Sequence, residues 1–205
     1  MSVAVPVDDD VAVWRGEGWH LLAMVHRGQG RDAARLALRR QLARGEVAGL
    51  CLPELAAPRW AAGGADVSAS HGRTLSVLAW CEHGRIGVDV VELDQLDSMG
   101  RQELGDTAAL YLAAPPRVTD ADDLPQARRR FAAAWAHHEA GLKCAGQALD
   151  EHPREAQRDA TMVAMSSDGD MAARWVVAVV HDLGASRTLQ RLVDGAGLRA
   201  DLLKA

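Results

Sequence analysis

Ile86-Gly87-Val88-Asp89-Val90-Val91-Glu92 is an apolar, β-branched run with a glycine at its second position and a carboxylate in its middle. Such a run reads as a buried strand. A lone carboxylate inside one is costly unless it is paired, hydrogen-bonded or bound to a metal. Strand alternation turns Glu92 to the face opposite Asp89, so the two acids do not act together. A second acid in an apolar setting, Glu139, lies fifty residues on in the helical segment Phe131–Leu149. At 100° per residue, Phe131, Trp135, Leu142, Ala145 and Leu149 share one stripe, with His138 among them. Glu139 and Lys143 sit on its shoulder one turn apart, where i,i+4 neighbours point the same way. For each acid the plain alternative is a surface or capping role. If strand and helix meet, Asp89 and Glu139 form an oxygen pair suited to Mg²⁺, which keeps several waters. Lys143 would then place a cation beside the metal, as a pyrophosphate site requires.

The surrounding chain reads as mixed α and β. Val3–Asp10 is a frayed lead-in, and Val11–Trp14 with Trp19–His26 form a hairpin about a glycine turn. Ala34, Leu38 and Leu42 recur every four residues in a helix over Arg31–Arg44. Arg31, Arg35, Arg39, Arg40 and Arg44 surround that stripe as a solvated face or a phosphate-binding one, and Gly45 stops the helix. Val47–Gly64 is loop. Asp66–Gly72 is a small-residue segment with Ser70-His71 in a glycine-bounded loop. It leads into a buried strand, Leu75–Cys81, whose hairpin partner across Glu82–Arg85 is the Asp89 strand. Leu93–Ala113 is moderately helical, and Pro125 opens the helix carrying Glu139. Thr161–Ser166 and Met171–His181 form a hairpin around Ser167–Asp170. Leu189–Leu203 fits a last strand or a short helix.

Strand, helix and strand thus occur twice. The expected fold is α+β, with two similar α/β halves related by a pseudo-twofold, each a small antiparallel sheet on a long helix. The halves would be residues 1–84 and 85–205, the second carrying the metal-binding residues.

The 205 residues suffice for a substantial core. With 6 Trp against 1 Phe and 1 Tyr, tryptophan supplies most of the aromatic packing. A net charge of −5 gives no reason to expect nucleic-acid binding. The 3 cysteines are scattered and form neither a zinc pair nor a disulfide framework, which fits a reducing cytoplasm. Neither a signal peptide nor a membrane span is expected. Cys81 reads as core. His137-His138-Glu139 is not a zinc cluster, because adjacent helical residues diverge by about 100°. Asp168-Gly169-Asp170 lacks the remainder of a calcium loop and reads as a turn.

Ser68-Ala69-Ser70-His71, the Asp89 strand, and Trp135-Ala136-His137-His138-Glu139-Ala140-Gly141-Leu142-Lys143 together resemble the three motifs of the 4′-phosphopantetheinyl transferases. In that family they read approximately as S-H, G-[VI]-D-[IV]-E and W-[ST]-x-K-E-[AS]-x-x-K. The length and the arginine helix resemble the single-chain, pseudo-dimeric surfactin-synthetase type. The resemblance implies transfer of 4′-phosphopantetheine from coenzyme A to a serine of an acyl or peptidyl carrier protein, with Mg²⁺ as cofactor. It implies Asp89 and Glu139 as metal ligands, Glu139 and Lys143 as catalytic, and Ser70, His71, Arg35, Arg59, His138 and Lys143 as coenzyme A contacts. A cytoplasmic monomer is expected. Three departures stand out. Val91 occupies the place of the long type's second acid, and His138 replaces the lysine before Glu139. Ala57-Pro58-Arg59-Trp60 replaces a G-K-P element. His138, on the apolar stripe, reads as a packed histidine more than a phosphate ligand. The alternative these departures imply is a catalytically impaired family member that binds a carrier protein or coenzyme A.

Overall fold

The computed structural model describes residues 3–8, 11–16, 18–26, 31–43, 50–52, 58–60, 65–112, 115–116, 123–147, 160–166, 173–182 and 191–193. Two main sheets face each other, with a helical layer on the outside of each. The first sheet contains β1 (Val3–Asp8), β2 (Val11–Arg15), β3 (Trp19–Val25), β6 (Asp66–His71) and β7 (Leu75–Cys81) in the antiparallel order β1-β2-β3-β7-β6. Its outer face takes α1 (Arg31–Ala43), through Leu38 and Leu42 against Leu22, Leu78 and Trp80. Short strands β4 (Leu50–Cys51) and β5 (Arg59–Trp60) pair beside it.

The second sheet contains β8 (Arg85–Glu92), β9 (Ala160–Ser166), β10 (Ala173–Asp182) and β11 (Arg191–Val193) in the order β11-β9-β10-β8. β8, β10 and β9 are antiparallel neighbours, whereas β11 runs parallel to β9. A 3₁₀ turn (Leu93–Leu96), α2 (Arg101–Tyr111) and α3 (Leu124–Ala145) accompany this sheet. Alternation on β8 divides its side chains between two cores. Ile86, Val88 and Val90 meet Leu21, Leu75, Val77 and Ala79 between the sheets, while Val91 faces α2 and α3. The fold is therefore α+β with mainly antiparallel sheets. No helix among the described residues is long and apolar enough to cross a membrane.

Several expectations need correction. Leu75–Cys81 and the Asp89 strand are not a hairpin. The edges of β7 are taken by β3 and β6, and β8 pairs by its backbone with β10. The turn at Glu82–Gly84 carries the chain from one sheet to the other. The lead-in contains β1, the Val47–Gly64 loop contains β4 and β5, and Ser70-His71 lies in β6. The hairpin of β9 and β10 is present, and the C-terminal segment contributes a strand, β11.

The buried face of α3 also differs from the expected one. It consists of Ala127, Phe131, Ala132, Ala136, Ala140, Gly141, Leu142 and Cys144, while Trp135, His138 and Ala145 are half-buried. Ala132, Ala136, Ala140 and Cys144 form a small-residue ridge because the helix lies directly on β8. A Cβ on Gly87 would stand 2.5 Å from the Cys144 amide nitrogen. Asp123 caps the helix N-terminus, accepting from the Gln126 amide at 2.8 Å, and Gly146 ends the helix in the left-handed region at φ 68°. Leu149, Arg44, Gly45 and the Ser167–Asp170 turn lie outside the described residues.

Candidate functional site

β6 and β8 are both edge strands, and they meet through side chains. Asp66, Ser68 and Ser70 alternate along β6 toward β8. The Ile86 amide donates to Asp66 Oδ2 at 2.7 Å, and the Val88 amide donates to Ser68 Oγ at 3.1 Å. Ser70 Oγ donates to Asp89 Oδ1 at 2.7 Å. Edge amides that would otherwise be buried unpaired are satisfied by side-chain oxygens two residues apart. The short polar residues that made this stretch look like a loop are what join the two sheets.

At the end of that seam Asp89 is 8% exposed. Lys143 Nζ donates to the same oxygen, Asp89 Oδ1, at 2.7 Å, and to the Val88 carbonyl at 3.2 Å. The lysine is anchored on α3, whose backbone is brought against β8 at Gly87. Glu139, one turn earlier, is half-buried in the same electrostatic neighbourhood. Burial raises its pKa first, the Asp89 charge raises it further, and Lys143 opposes both. Ser70, Asp89, Glu139 and Lys143, from three separated segments, are therefore brought together.

The other expected residues lie elsewhere. His71 follows Ser70 and points to the other side of β6, where its Nδ1 and Ser76 Oγ share a hydrogen bond at 3.0 Å. That is the face carrying α1, with half-buried Arg35. Arg59 lies in β5, opposite Cys51. His138 is half-buried, and burial followed by the His137 charge lowers its pKa. Cys81 is fully buried, and burial pushes its thiol up to about 11, so it behaves as core.

Glu92 faces away from Asp89, as alternation requires. Its Oε1 accepts from the Thr74 amide at 2.5 Å and from Thr74 Oγ1 at 3.0 Å. Sequence reasoning set Glu92 aside as a ligand and missed Thr74 and Trp175, which belong to the same hydrogen-bonded chain. The only signal for that chain was a glutamate ending an apolar strand.

The donor set suits a hard cation. Asp89 and Glu139 are two carboxylates in one electrostatic neighbourhood with Lys143, and burial first and the Asp89 charge second raise the proton affinity of Glu139. Among the described residues no group of three or more His, Cys, Asp or Glu side chains is arranged to hold a metal. No protein-family model matches the chain, and no curated protein sequence matches it.

Proposed function

We propose that this chain transfers 4′-phosphopantetheine from coenzyme A to a serine hydroxyl of an acyl or peptidyl carrier protein, releasing 3′,5′-ADP. The observation that carries the reading is the convergence of Ser70, Asp89 and Lys143, with Glu139 coupled to them. These residues come from the three segments that resemble the transferase motifs. In this reading residues 1–84 and 85–205 are halves of a pseudo-twofold, and the protein is a cytoplasmic monomer.

The carrier serine oxygen attacks the phosphorus that bears the pantetheine arm. A new P–O bond forms as the pyrophosphate P–O bond breaks, and the leaving group is 3′,5′-ADP. The serine proton passes to Glu139, whose raised pKa makes it a stronger base than an ordinary carboxylate. Lys143 presents positive charge to the pyrophosphate while bonded to Asp89, which fixes its position. Ser70 holds the Asp89 carboxylate in place. Mg²⁺, when bound by Asp89 and Glu139, supplies Lewis-acid stabilisation of the phosphate charge. His71 and Arg35, on the face of β6 opposite Ser70, and Arg59 in β5 are assigned in this reading only to coenzyme A phosphate away from the reacting bond. His138 is assigned a minor part, because an imidazole of lowered pKa is neutral near pH 7 and brings no charge to a phosphate.

A second reading is a catalytically impaired family member that binds a carrier protein or coenzyme A. It is favoured by Lys143 pairing directly with Asp89, the proposed metal ligand, and by Val91 in place of an acid. Incubation with coenzyme A, Mg²⁺ and apo carrier proteins, read by mass spectrometry, separates the two. A phosphopantetheine adduct that disappears in Asp89→Asn supports transfer. Coenzyme A binding without an adduct on any of several carriers supports the impaired reading. Millimolar Mg²⁺ should raise the melting temperature of the wild type and leave Asp89→Asn unmoved; an equal rise in both removes the metal assignment.

A further inference from the structure

We infer that Glu92 is a positioning residue, holding the turn between β6 and β7 so that Ser70 meets Asp89. The inference rests on Asp89 being at the reactive site and gives a role to a carboxylate that the reaction itself does not use.

Glu92 is 1% exposed. Its Oε1 accepts two bonds from Thr74, while its Oε2 has no hydrogen bond and lies 3.6 Å from Arg73 Nε. A buried carboxylate with one oxygen this poorly satisfied is a poor choice for stability alone. Its geometry serves placement instead. Thr74 Oγ1 accepts from Trp175 Nε1 at 2.9 Å and donates to Glu92, so the chain Trp175–Thr74–Glu92 ties β10 and β8 of one sheet to the turn of the other. The turn closes with the Gly72 amide donating to the Leu75 carbonyl at 2.8 Å. Gly72 passes so near the carboxylate that a Cβ there would be 2.7 Å from Oε1 and 3.1 Å from Cδ. Ser70 is two residues before this clamped glycine. Moving the turn slides β6 along β8 and withdraws Ser70 Oγ from Asp89, a bond of 2.7 Å between two different sheets.

The test is the side-chain carboxyl ¹³C signal of Asp89, followed by NMR in folded variants. Ser70→Ala moves that signal. Glu92→Gln is expected to move it in the same direction, and to move it no further in the Ser70→Ala background. Thr74→Val should act like Glu92→Gln and Thr74→Ser should restore the wild-type signal, which keeps the test available if Glu92→Gln does not fold. An Asp89 signal unmoved by Glu92→Gln and Thr74→Val, or shifts that simply add to that of Ser70→Ala, overturns the inference. In the transfer assay Glu92→Gln should lower the rate roughly tenfold in the wild-type background and leave the rate of Ser70→Ala nearly unchanged, the signature of coupled neighbours. If the wild type transfers nothing, the proposed reaction falls, while the carboxyl signal still decides the role of Glu92.

Discussion

Placing a methyl group on Gly87 tests the architecture of the site most directly. An ideal Cβ there lies 2.5 Å from the Cys144 amide nitrogen and 2.9 Å from the Ala140 carbonyl carbon. Non-bonded carbons rest about 3.5–4.0 Å apart, so helix and strand must separate by about 1 Å. Both clashing groups are main chain, and no side-chain rotation relieves them. Overpacking of this kind costs about 1–3 kcal/mol. About 2 kcal/mol corresponds to a melting temperature lower by roughly 4–8 °C for a chain of this size.

The wedge enters beside both proposed site residues of the helix, since Ala140 follows Glu139 and Cys144 follows Lys143. The Lys143–Asp89 bond, 2.7 Å in the native protein, would open toward a separation at which little hydrogen bonding survives. Calorimetry of Gly87→Ala should therefore show the loss of stability and, on the proposed transferase reading, weakened binding of coenzyme A. Gly105→Ala is the control. Gly105 lies in α2 with no atom within 4 Å of its added Cβ, so that variant should gain about 0.5–1 kcal/mol from helix propensity. A Gly87→Ala protein as stable as the wild type, with unchanged ligand binding, would refute the close seating of α3 on β8.

Two further expectations concern pH. Because the folded protein holds the pKa of Glu139 above its ordinary 4.5, the associated stability is fully present below 4.5 and is lost as pH rises through the raised value. Glu139→Gln should accordingly be more stable than the wild type at neutral pH, with the advantage vanishing in acid; pH-dependent urea unfolding reads it, and an advantage independent of pH refutes the burial argument. His20, His26 and His138 have the opposite sense. Their pKa values are lowered, burial being the first cause in each, so the unfolded chain takes up protons first as pH falls below 6.5. Stability should drop over that window, and replacing the three with Gln should flatten the slope there; a slope unaltered by the triple variant assigns the pH dependence to other groups.

The parts of this fold that were legible in the sequence are those with a period. The apolar repeat of α1, the start of α3 at Pro125 and the antiparallel pairing of β9 with β10 follow from spacing and from proline at a first helical turn. The placement of Asp89 and Glu92 on opposite faces follows from strand alternation. What escaped was governed by size and by edges. The buried ridge of α3 is alanine and cysteine, which a search for large apolar residues passes over in favour of Trp135 and His138. Gly87 was the available clue, since a glycine inside a strand marks close approach of another backbone. The sheet boundary was hidden for a related reason. Two apolar strands joined by a three-residue turn look like a hairpin, and local pattern contains nothing about which edges are already occupied. The deciding segment, Asp66-Val67-Ser68-Ala69-Ser70-His71, reads as polar loop because half its side chains act as substitutes for a backbone ladder. That substitution gives the seam its chemistry. A backbone ladder between β6 and β8 would turn every β6 side chain away from the join. The offset, side-chain-mediated contact instead leaves a serine hydroxyl free to reach Asp89, with Lys143 arriving at the same oxygen from α3.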